Sequence, residues 1–332
     1  MRVDERAARM MRLLEYLNEH ADRAVPIGEL AALAVREFGV SEVTLRSDLA
    51  ALGALLPVRK SARGTYRAGE GGPLEALLPG APHGEAGPGG LLFATRLRRR
   101  AEGKIAIAGA VVRALRQQED LRVLLLDAGT TTFFVADRLS EEAGLDLIVW
   151  TPSVAAAARL AGSRGLSVRL LGGEYQPEYA VVSGDETARA LRALAGPEAE
   201  AVPLTAPLPA FAGVHCVLDV NSVSPEGRLF TDESKERLQK RLMAELAEEL
   251  TLVADHTKLF RPRLGLQAHE VYALREFPGK RILRLVTDAD ADTEQRETAR
   301  QLMERAMGDG PIAVTVEEAE GAVVFTARRD GA

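Results

Sequence analysis

Residues 121–127 read LRVLLLD, an apolar run rich in Leu and Val that stops at Asp127. Such a run fits a strand buried on both faces. It gives way to Ala128, Gly129 and three threonines, and then to FFVADRL, whose apolar residues repeat with helical spacing. Strand, tight polar loop and helix therefore follow one another in a single stretch. The same alternation recurs down the chain. Strands are expected at 121–127, 145–151, 166–172, 210–219, 250–256 and 280–287. Helices are expected from near Thr131, Ser153, Gly184 and Thr231, with one long helix over 93–116 whose stripe is Ile105, Ala108, Val112 and Leu115. This βαβ rhythm predicts a largely parallel sheet covered by helices on both faces.

The first 68 residues follow another pattern. Ala7, Met10 or Met11, Leu14 and Leu17 have helical spacing. Pro26 stands near the start of a second helix, IGELAALAVREF, which stops at Gly39. Ser41 can cap a third helix, SEVTLRSDLAALGALL, whose Leu45, Leu49, Leu52 and Leu56 form one buried stripe. The opposite face carries Val43, Ser47 and Ala50, flanked by Thr44 and Arg46. Glu42 and Asp48 are expected nearer the buried border, steadying the helix start. PVRK and TYRA then read as two short strands around a turn at 61–64. A helix-turn-helix followed by a basic hairpin is a winged DNA-binding arrangement. Its third helix would enter the major groove with Ser41, Val43, Thr44, Arg46 and Ser47 at the base edges, and Arg59, Lys60 and Arg63 would lie along phosphates. The plainer alternative is a small helical dimerisation domain with a solvated basic surface.

Residues 69–92 are dense in Gly, Pro and Ala and read as a linker, so the boundary between a 1–68 and a 93–290 domain falls there. The Pro- and Ala-rich stretch 196–210 reads as a surface insertion. Residues 291–332 add a polar-faced helix and two alternating strands, which either pair at the sheet edge or form a small subdomain of their own.

Composition narrows the classes. The chain has 332 residues, 46% hydrophobic and 27% charged, with a formal net charge of -6. It is not a general polyanion binder. Over 44–67, however, Arg46, Arg59, Lys60, Arg63 and Arg67 face Asp48 alone, which suits a local nucleic-acid-binding module on an acidic protein. One cysteine excludes an intramolecular disulfide framework and points to a reducing cytoplasm. Five scattered histidines argue against a structural zinc site. No apolar run approaches the ~20 residues that span a bilayer, and the N-terminus lacks a signal-peptide core. No cofactor or metal is expected.

The candidate chemistry lies at strand ends, where unpaired helix N-terminal N–H groups favour anions. Asp127, Gly129, Thr130, Thr131 and Thr132 form the first such loop. Thr151–Ser153, Gly172–Glu174, Ser183–Glu186 and Ala254–Lys258 repeat the pattern. Together they would converge on one rim, with Lys258 as the cation a phosphate requires. Taken singly, each is equally well a capped turn, and Lys258 a surface lysine.

With these residues in hand, the chain resembles DeoR-type bacterial transcriptional regulators. The resemblance is carried by ELAALAVREFGVSEVTLRSDLAAL in the first domain. In the second it is carried by KIAIAGA, LLLDAGTTT, the LGG of LLGGEY, the VSG at Val182–Gly184 and VADHTK. It implies an α/β architecture: an N-terminal winged helix-turn-helix, then a mostly parallel-sheet, Rossmann-like sensor domain of the sugar-phosphate isomerase and coenzyme A transferase type. It further implies a repressor relieved by a phosphorylated sugar and acting as a homo-oligomer on operator DNA. Asp127, Gly129, Thr130, Thr131 and Thr132 become the phosphate loop. Gly172, Gly173, Glu233 and Lys258 become further pocket residues beside Thr151 and Ser153. The chain departs from the family at Arg46–Ser47, where two arginines are usual, in the wing RKSARGTYR, at Thr151–Pro152, and over 194–230. Two other functions remain open: a sugar-phosphate isomerase or deaminase with an appended DNA-binding domain, and a regulator whose second domain only oligomerises.

Overall fold

A computed structural model describes residues 9, 12–13, 16–17, 20, 23–46, 49, 58–60, 65–68, 93, 96–118, 120–142, 144–176, 179–196, 203, 210–231, 233–260, 269–276, 280–307 and 312–329. The linker 69–92 and most of 196–210 lie outside the described residues. The chain forms two units, residues 1–98 and 99–332.

The first unit is organised by leucines. Leu13, Leu17, Leu30, Leu33, Leu45 and Leu49 pack with Ala34, Val25 and Tyr66 into one core. Helix α1 (Ile27–Phe38) starts behind Pro26 and ends at Gly39, whose left-handed φ of 62° lets its N–H reach Val35 O. Residues 42–46 are helical after Ser41, whose Oγ accepts from the Thr44 N–H at 3.4 Å. Three short strands, β1 (Val25–Pro26), β2 (Val58–Lys60) and β3 (Thr65–Ala68), form an antiparallel sheet in the order β1-β3-β2. The expected hairpin is thus β2 and β3. β1 is an addition that pattern reading did not supply, because two residues carry no periodicity.

The second unit is built on an eight-stranded sheet. Its strands are β4 (Val123–Leu126), β5 (Leu147–Thr151), β6 (Leu166–Leu170), β9 (Phe211–Asp219), β12 (Ala247–Val253), β14 (Ile282–Asp288), β15 (Ile312–Ala319) and β16 (Ala322–Arg329). They are ordered β15-β16-β14-β12-β9-β4-β5-β6. The six from β14 to β6 are parallel, and β15 and β16 close one side antiparallel. Residues 291–332 therefore take the first of the two arrangements expected of them and extend the main sheet.

Alternate residues of each strand enter different cores. Leu124, Leu126, Val149, Val217 and Val286 face α2 (Ala101–Arg116), α3 (Thr130–Ser140) and α4 (Val154–Leu160). Leu125, Cys216, Leu218, Leu252 and Leu285 face α5 (Asp185–Leu194), α6 (Ser234–Leu246) and α7 (Thr293–Ala306). Burial on both faces explains why these strands read as continuous apolar runs. A β7 (Glu174–Gln176) and β8 (Val181–Ser183) hairpin and a small sheet of β10 (Ser222–Val223), β11 (Arg228–Thr231) and β13 (His269–Ala273) complete the unit.

Two expectations are corrected. The single helix over 93–116 is interrupted, because Arg100 takes a left-handed φ of 56° and α2 begins anew at Ala101. Ala108, Val112 and Leu115 of the expected stripe are buried, but its first member is not. Ile105 is 54% exposed, while Lys104, Ile107, Val111 and Leu115 point inward. A lysine on the buried face was hidden by the neighbouring isoleucine. Elsewhere α6 runs directly into β12. The buried Lys280 ammonium allows this by donating to the carbonyls of Glu245 and Ala247 where the helix ends.

Candidate anion-binding site

All six parallel strands end on one rim, so Asp127, Thr151, Asp219, Asp255 and Asp288 lie at or just beyond strand ends. The centre of this rim is a set of linked charges. Asp127 is fully buried, and its Oδ2 accepts from Lys240 Nζ at 2.5 Å and from the Asp219 N–H at 3.1 Å. Lys240, on α6, also donates to Asp219 O at 3.1 Å and lies 3.5 Å from Glu236 Oε2. Burial pushes the Asp127 carboxyl up to about 6, against the pull of Lys240. Burial would likewise lower Lys240, but Asp127, Glu236 and Asp219 outweigh it and hold the ammonium above the usual lysine range. The pair is charged at neutral pH.

Asp219 faces the loop that begins α3. Its Oδ2 accepts from the Thr131 N–H at 3.3 Å, and its Oδ1 accepts from Lys258 Nζ at 2.6 Å. Gly129 makes this approach possible, since a β-carbon there would lie 2.2 Å from Asp219 Oδ2. Thr130, Thr131 and Thr132 are all buried in the first turn, and Thr132 Oγ1 donates to Gly129 O at 3.1 Å. Thr131 Oγ1 and Asp127 Oδ1 are buried without a hydrogen-bond partner among the described residues. Lys104 approaches from α2. Burial first, and then the Lys258 charge, lower its pKa to about 8, opposed by Asp219 and Asp255. Asp255 Oδ1 accepts from the Thr257 N–H at 3.1 Å, which fixes the short turn carrying Lys258.

The other expected residues have different employment. Thr151 Oγ1 accepts from the Ser153 N–H, and Ser153 Oγ accepts from the Ala156 N–H, so this pair caps α4. Gly172 O accepts from Thr187 Oγ1 at 2.6 Å. A β-carbon at Gly173 would meet the Thr187 Oγ1 atom at 2.3 Å, so Gly173 serves close packing against α5, whereas a β-carbon at Gly172 would meet nothing within 4 Å. Glu233, at the start of α6, accepts from Tyr179 Oη at 2.6 Å. Helix α6 thus touches the Tyr179 turn with one end and Asp127 with Lys240. The structure brings Asp127, Gly129, Thr131 and Lys258 together around Asp219. Thr151 and Ser153 make capping hydrogen bonds at α4, and Gly173 packs against α5.

Sequence reading passed over Lys104, Asp219 and Lys240. Asp219 had a signal, because FAGVHCVLD ends an apolar strand on Asp just as LRVLLLD does. Lys104 sits three residues before Ile107 on the inward face. Lys240 had no such mark, since SKERLQKRLMAEL is too dense in charge for spacing to single it out.

Neither His256 nor His215 offers a free base. His256 has Nδ1 2.6 Å from Asp288 Oδ1 and Nε2 3.0 Å from Arg100 Nη1. His256, Asp288 and Asp290 have ligand atoms within 4.8 Å of one another, but both ring nitrogens are committed and a guanidinium abuts the cluster. His215, one strand-length away on β9, is buried with Nε2 2.8 Å from Thr251 Oγ1, and burial holds its pKa well below the ordinary value.

In the first unit, Val43 is 78% exposed, and Ser41, Thr44 and Arg46 are partly or well exposed around it. Glu42 is a correction. It is exposed instead of lying at the buried border, and it binds Arg46, with Nη2 2.6 Å and Nε 3.0 Å from Oε1. Ser47 and Arg63 lie outside the described residues. Arg59 and Lys60 are placed in β2 by their backbone.

The rim of this α/β domain gathers Lys240, Lys258 and the N-terminus of α3 around the Asp127 and Asp219 carboxylates. Residues 99–198 match the sequence model of the DeoR C terminal sensor domain. The match covers Lys104 and the Asp127–Thr132 loop, whereas Asp219, Lys240 and Lys258 lie beyond it. Among solved structures, the chain is similar to ribose 5-phosphate isomerase from Plasmodium falciparum, at 10% identity and TM-score 0.30, over 67% of this chain and 78% of that one. It is similar to the isomerase from Methanocaldococcus jannaschii at 13% identity and TM-score 0.29, over 69% and 80%. A D-ribose-5-phosphate isomerase in complex with phospho-erythronic acid gives 12% identity and TM-score 0.30, over 68% and 79%. No curated protein matches the sequence. No helix among the described residues is long and apolar enough to cross a membrane.

Proposed function

We propose that the protein is a ligand-responsive transcriptional regulator. Residues 1–68 would hold operator DNA as a winged helix-turn-helix, and a phosphorylated sugar bound at the rim would relieve repression. The observation that carries this reading is the Asp127–Thr132 loop. It opens a helix N-terminus toward Lys258, with Lys104 beside it, inside a domain whose first hundred residues match a regulator's sensor. Buried N–H groups and ammoniums around one point suit a phosphate, and the neighbouring polar groups suit a sugar. Support for DNA binding comes from the capped 42–46 helix with exposed Val43 and Arg46 and half-buried Thr44, followed by the strands of a basic hairpin. Control requires the ligand to bind the DNA-competent and DNA-incompetent states with different affinity, and a two-fold assembly would supply paired reading heads. The full chain should select a duplex from a random library and release it on addition of one member of a pentose and hexose phosphate panel. Selection of no duplex would overturn the regulator reading.

A specific observation keeps the enzyme reading in view. Asp127 and Asp219 are acids beside lysines, and the Asp127 carboxyl is pushed up to about 6. We place the protein among binders, because both Asp127 oxygens are buried and Oδ2 is spent on Lys240 and the Asp219 backbone. Turnover of ribose 5-phosphate that disappears in Asp127→Ala would reverse that choice.

A further inference from the structure

The seat assigned above to an anion is already filled by one. The Asp219 side chain takes the Thr131 N–H with one oxygen and the Lys258 ammonium with the other, in the space that Gly129 leaves by lacking a β-carbon. Those are the contacts a phosphate would need. The backbone of Asp219 is pinned independently. Its N–H donates to Asp127 Oδ2 and its carbonyl accepts from Lys240. The side chain can therefore leave while the strand end stays. Thr131 Oγ1, fully buried in the same turn and without a partner among the described residues, adds a donor that the carboxylate does not use.

We infer that Asp219 is an internal competitor for the anion seat, so that the effector binds by expelling its carboxylate from Thr131 and Lys258. This rests on the phosphate reading of the rim. It sets the class of ligand. A monoanion gains at this seat only what the resident carboxylate gives up. A phosphate monoester dianion brings a second charge to Lys258 and Lys104 and extra acceptors for the Thr131 hydroxyl. Asp219 then selects dianions over carboxylates and phosphodiesters. It also raises the concentration at which the sensor responds, because the competent state is the minority in which the side chain has swung away.

The test is calorimetric titration of the full chain at pH 7.5 with ribose 5-phosphate, inorganic phosphate, dimethyl phosphate and acetate. Wild type, Asp219→Asn and Lys258→Ala would be compared, with melting temperatures confirming that each is folded. Wild type should bind the first two and neither monoanion. Asp219→Asn should bind the dianions about tenfold more tightly or better, as expected when a competing charge is removed, and should bind acetate measurably. Dianion binding lost in Lys258→Ala but unchanged or weakened in Asp219→Asn would overturn the competition while leaving the phosphate reading standing. No binding by wild type or Asp219→Asn would overturn both. Should Asp219→Asn fail to fold, the wild type reports the exchange through the Asp219 carboxylate carbon resonance. That resonance should move as phosphate saturates, and an unmoved resonance at saturation would overturn the proposal.

Discussion

Lys240 Nζ lies 2.5 Å from Asp127 Oδ2 with both side chains sealed from solvent, so a single ion pair joins helix α6 to the end of strand β4. The same carboxylate accepts from the Asp219 N–H, and the same ammonium donates to Asp219 O. One pair thereby fixes both strand ends that flank the proposed seat.

Removing one partner of a buried pair leaves the other uncompensated, at a cost of about 3–5 kcal/mol. Lys240→Met should lose that much stability, with a characteristic pH dependence. The Asp127 carboxyl sits at about 6 in the fold, above its ordinary value of 3.8, because burial disfavours its charge. A raised value means that its favourable contribution is complete at low pH and is lost as pH rises through 6. Without Lys240 the carboxyl rises further. Lys240→Met should therefore be less damaged at pH 5 than at pH 8 in denaturant titrations, and adding Asp127→Asn should remove the difference. Equal losses at both pH values would show that the pair does not govern Asp127.

Ligand affinity should have an alkaline limb set by Lys104. Its pKa is lowered to about 8 by burial and the Lys258 charge, so it is a cation at pH 7 and neutral at pH 9. A phosphate monoester becomes a dianion above about 6. Ribose 5-phosphate should thus bind best between about pH 6 and 8, and Lys104→Met should flatten the upper limb while weakening binding at pH 7. An upper limb that persists in Lys104→Met would assign it to another group.

How far these groups were legible in the sequence follows from their surroundings. Residues 121–132 announce themselves, because the strand Val123–Leu126 is wholly apolar up to Asp127, and the helix start then carries Gly and Thr. Leu17, Leu45 and Leu49 were equally legible from spacing, whereas the core takes Leu13 where the spacing pointed to Leu14, which lies outside the described residues. Lys104 and Lys240 were not, because a lysine buried by a distant carboxylate looks in sequence like any surface lysine of an amphipathic helix. Only the long-range pairing of Asp127 with Lys240, at a sequence separation of 113, reveals it. Thr151 and Ser153 were ambiguous in the sequence because the residues that cap a helix are the same types that bind an anion, and both are engaged at the start of α4.

In the first unit, Glu29 accepts from Arg23 Nη1 at 3.0 Å, Arg23 Nη2 at 2.5 Å and Tyr16 Oη at 2.6 Å. The Arg23 and Tyr16 hydrogen bonds hold its carboxyl down at about 2. A depressed value means that the contribution is present above the ordinary 4.5 and is lost as pH falls toward 2. Glu29→Gln should reduce hydrogen-exchange protection of α1 at pH 6 and leave less further loss between pH 4.5 and 2 than in wild type. Unchanged protection would mean that the cluster is only a solvated surface contact.

Arg46 is held by Glu42 one helical turn earlier, so on the proposed DNA-binding reading its guanidinium would exchange a carboxylate for what the duplex offers. Guanine O6 and N7 accept the fork in a bidentate manner, whereas a phosphate can be met by either cation geometry. Arg46→Ala should therefore cost about 1–3 kcal/mol on the selected duplex and much less on random duplex at the same salt. An exposed pair of this spacing is worth only about 0.3–0.5 kcal/mol. Releasing Arg46 with Glu42→Gln should then raise affinity for both duplexes by about twofold, more at low salt, because one repelling charge leaves the phosphate-facing surface. Electrophoretic mobility shifts on the two duplexes separate the outcomes. A loss in Arg46→Ala that is equal on both would confine Arg46 to the backbone. A Glu42→Gln variant that binds the selected duplex more weakly would show that Glu42 itself reads a base, as a carboxylate accepting from cytosine N4 does.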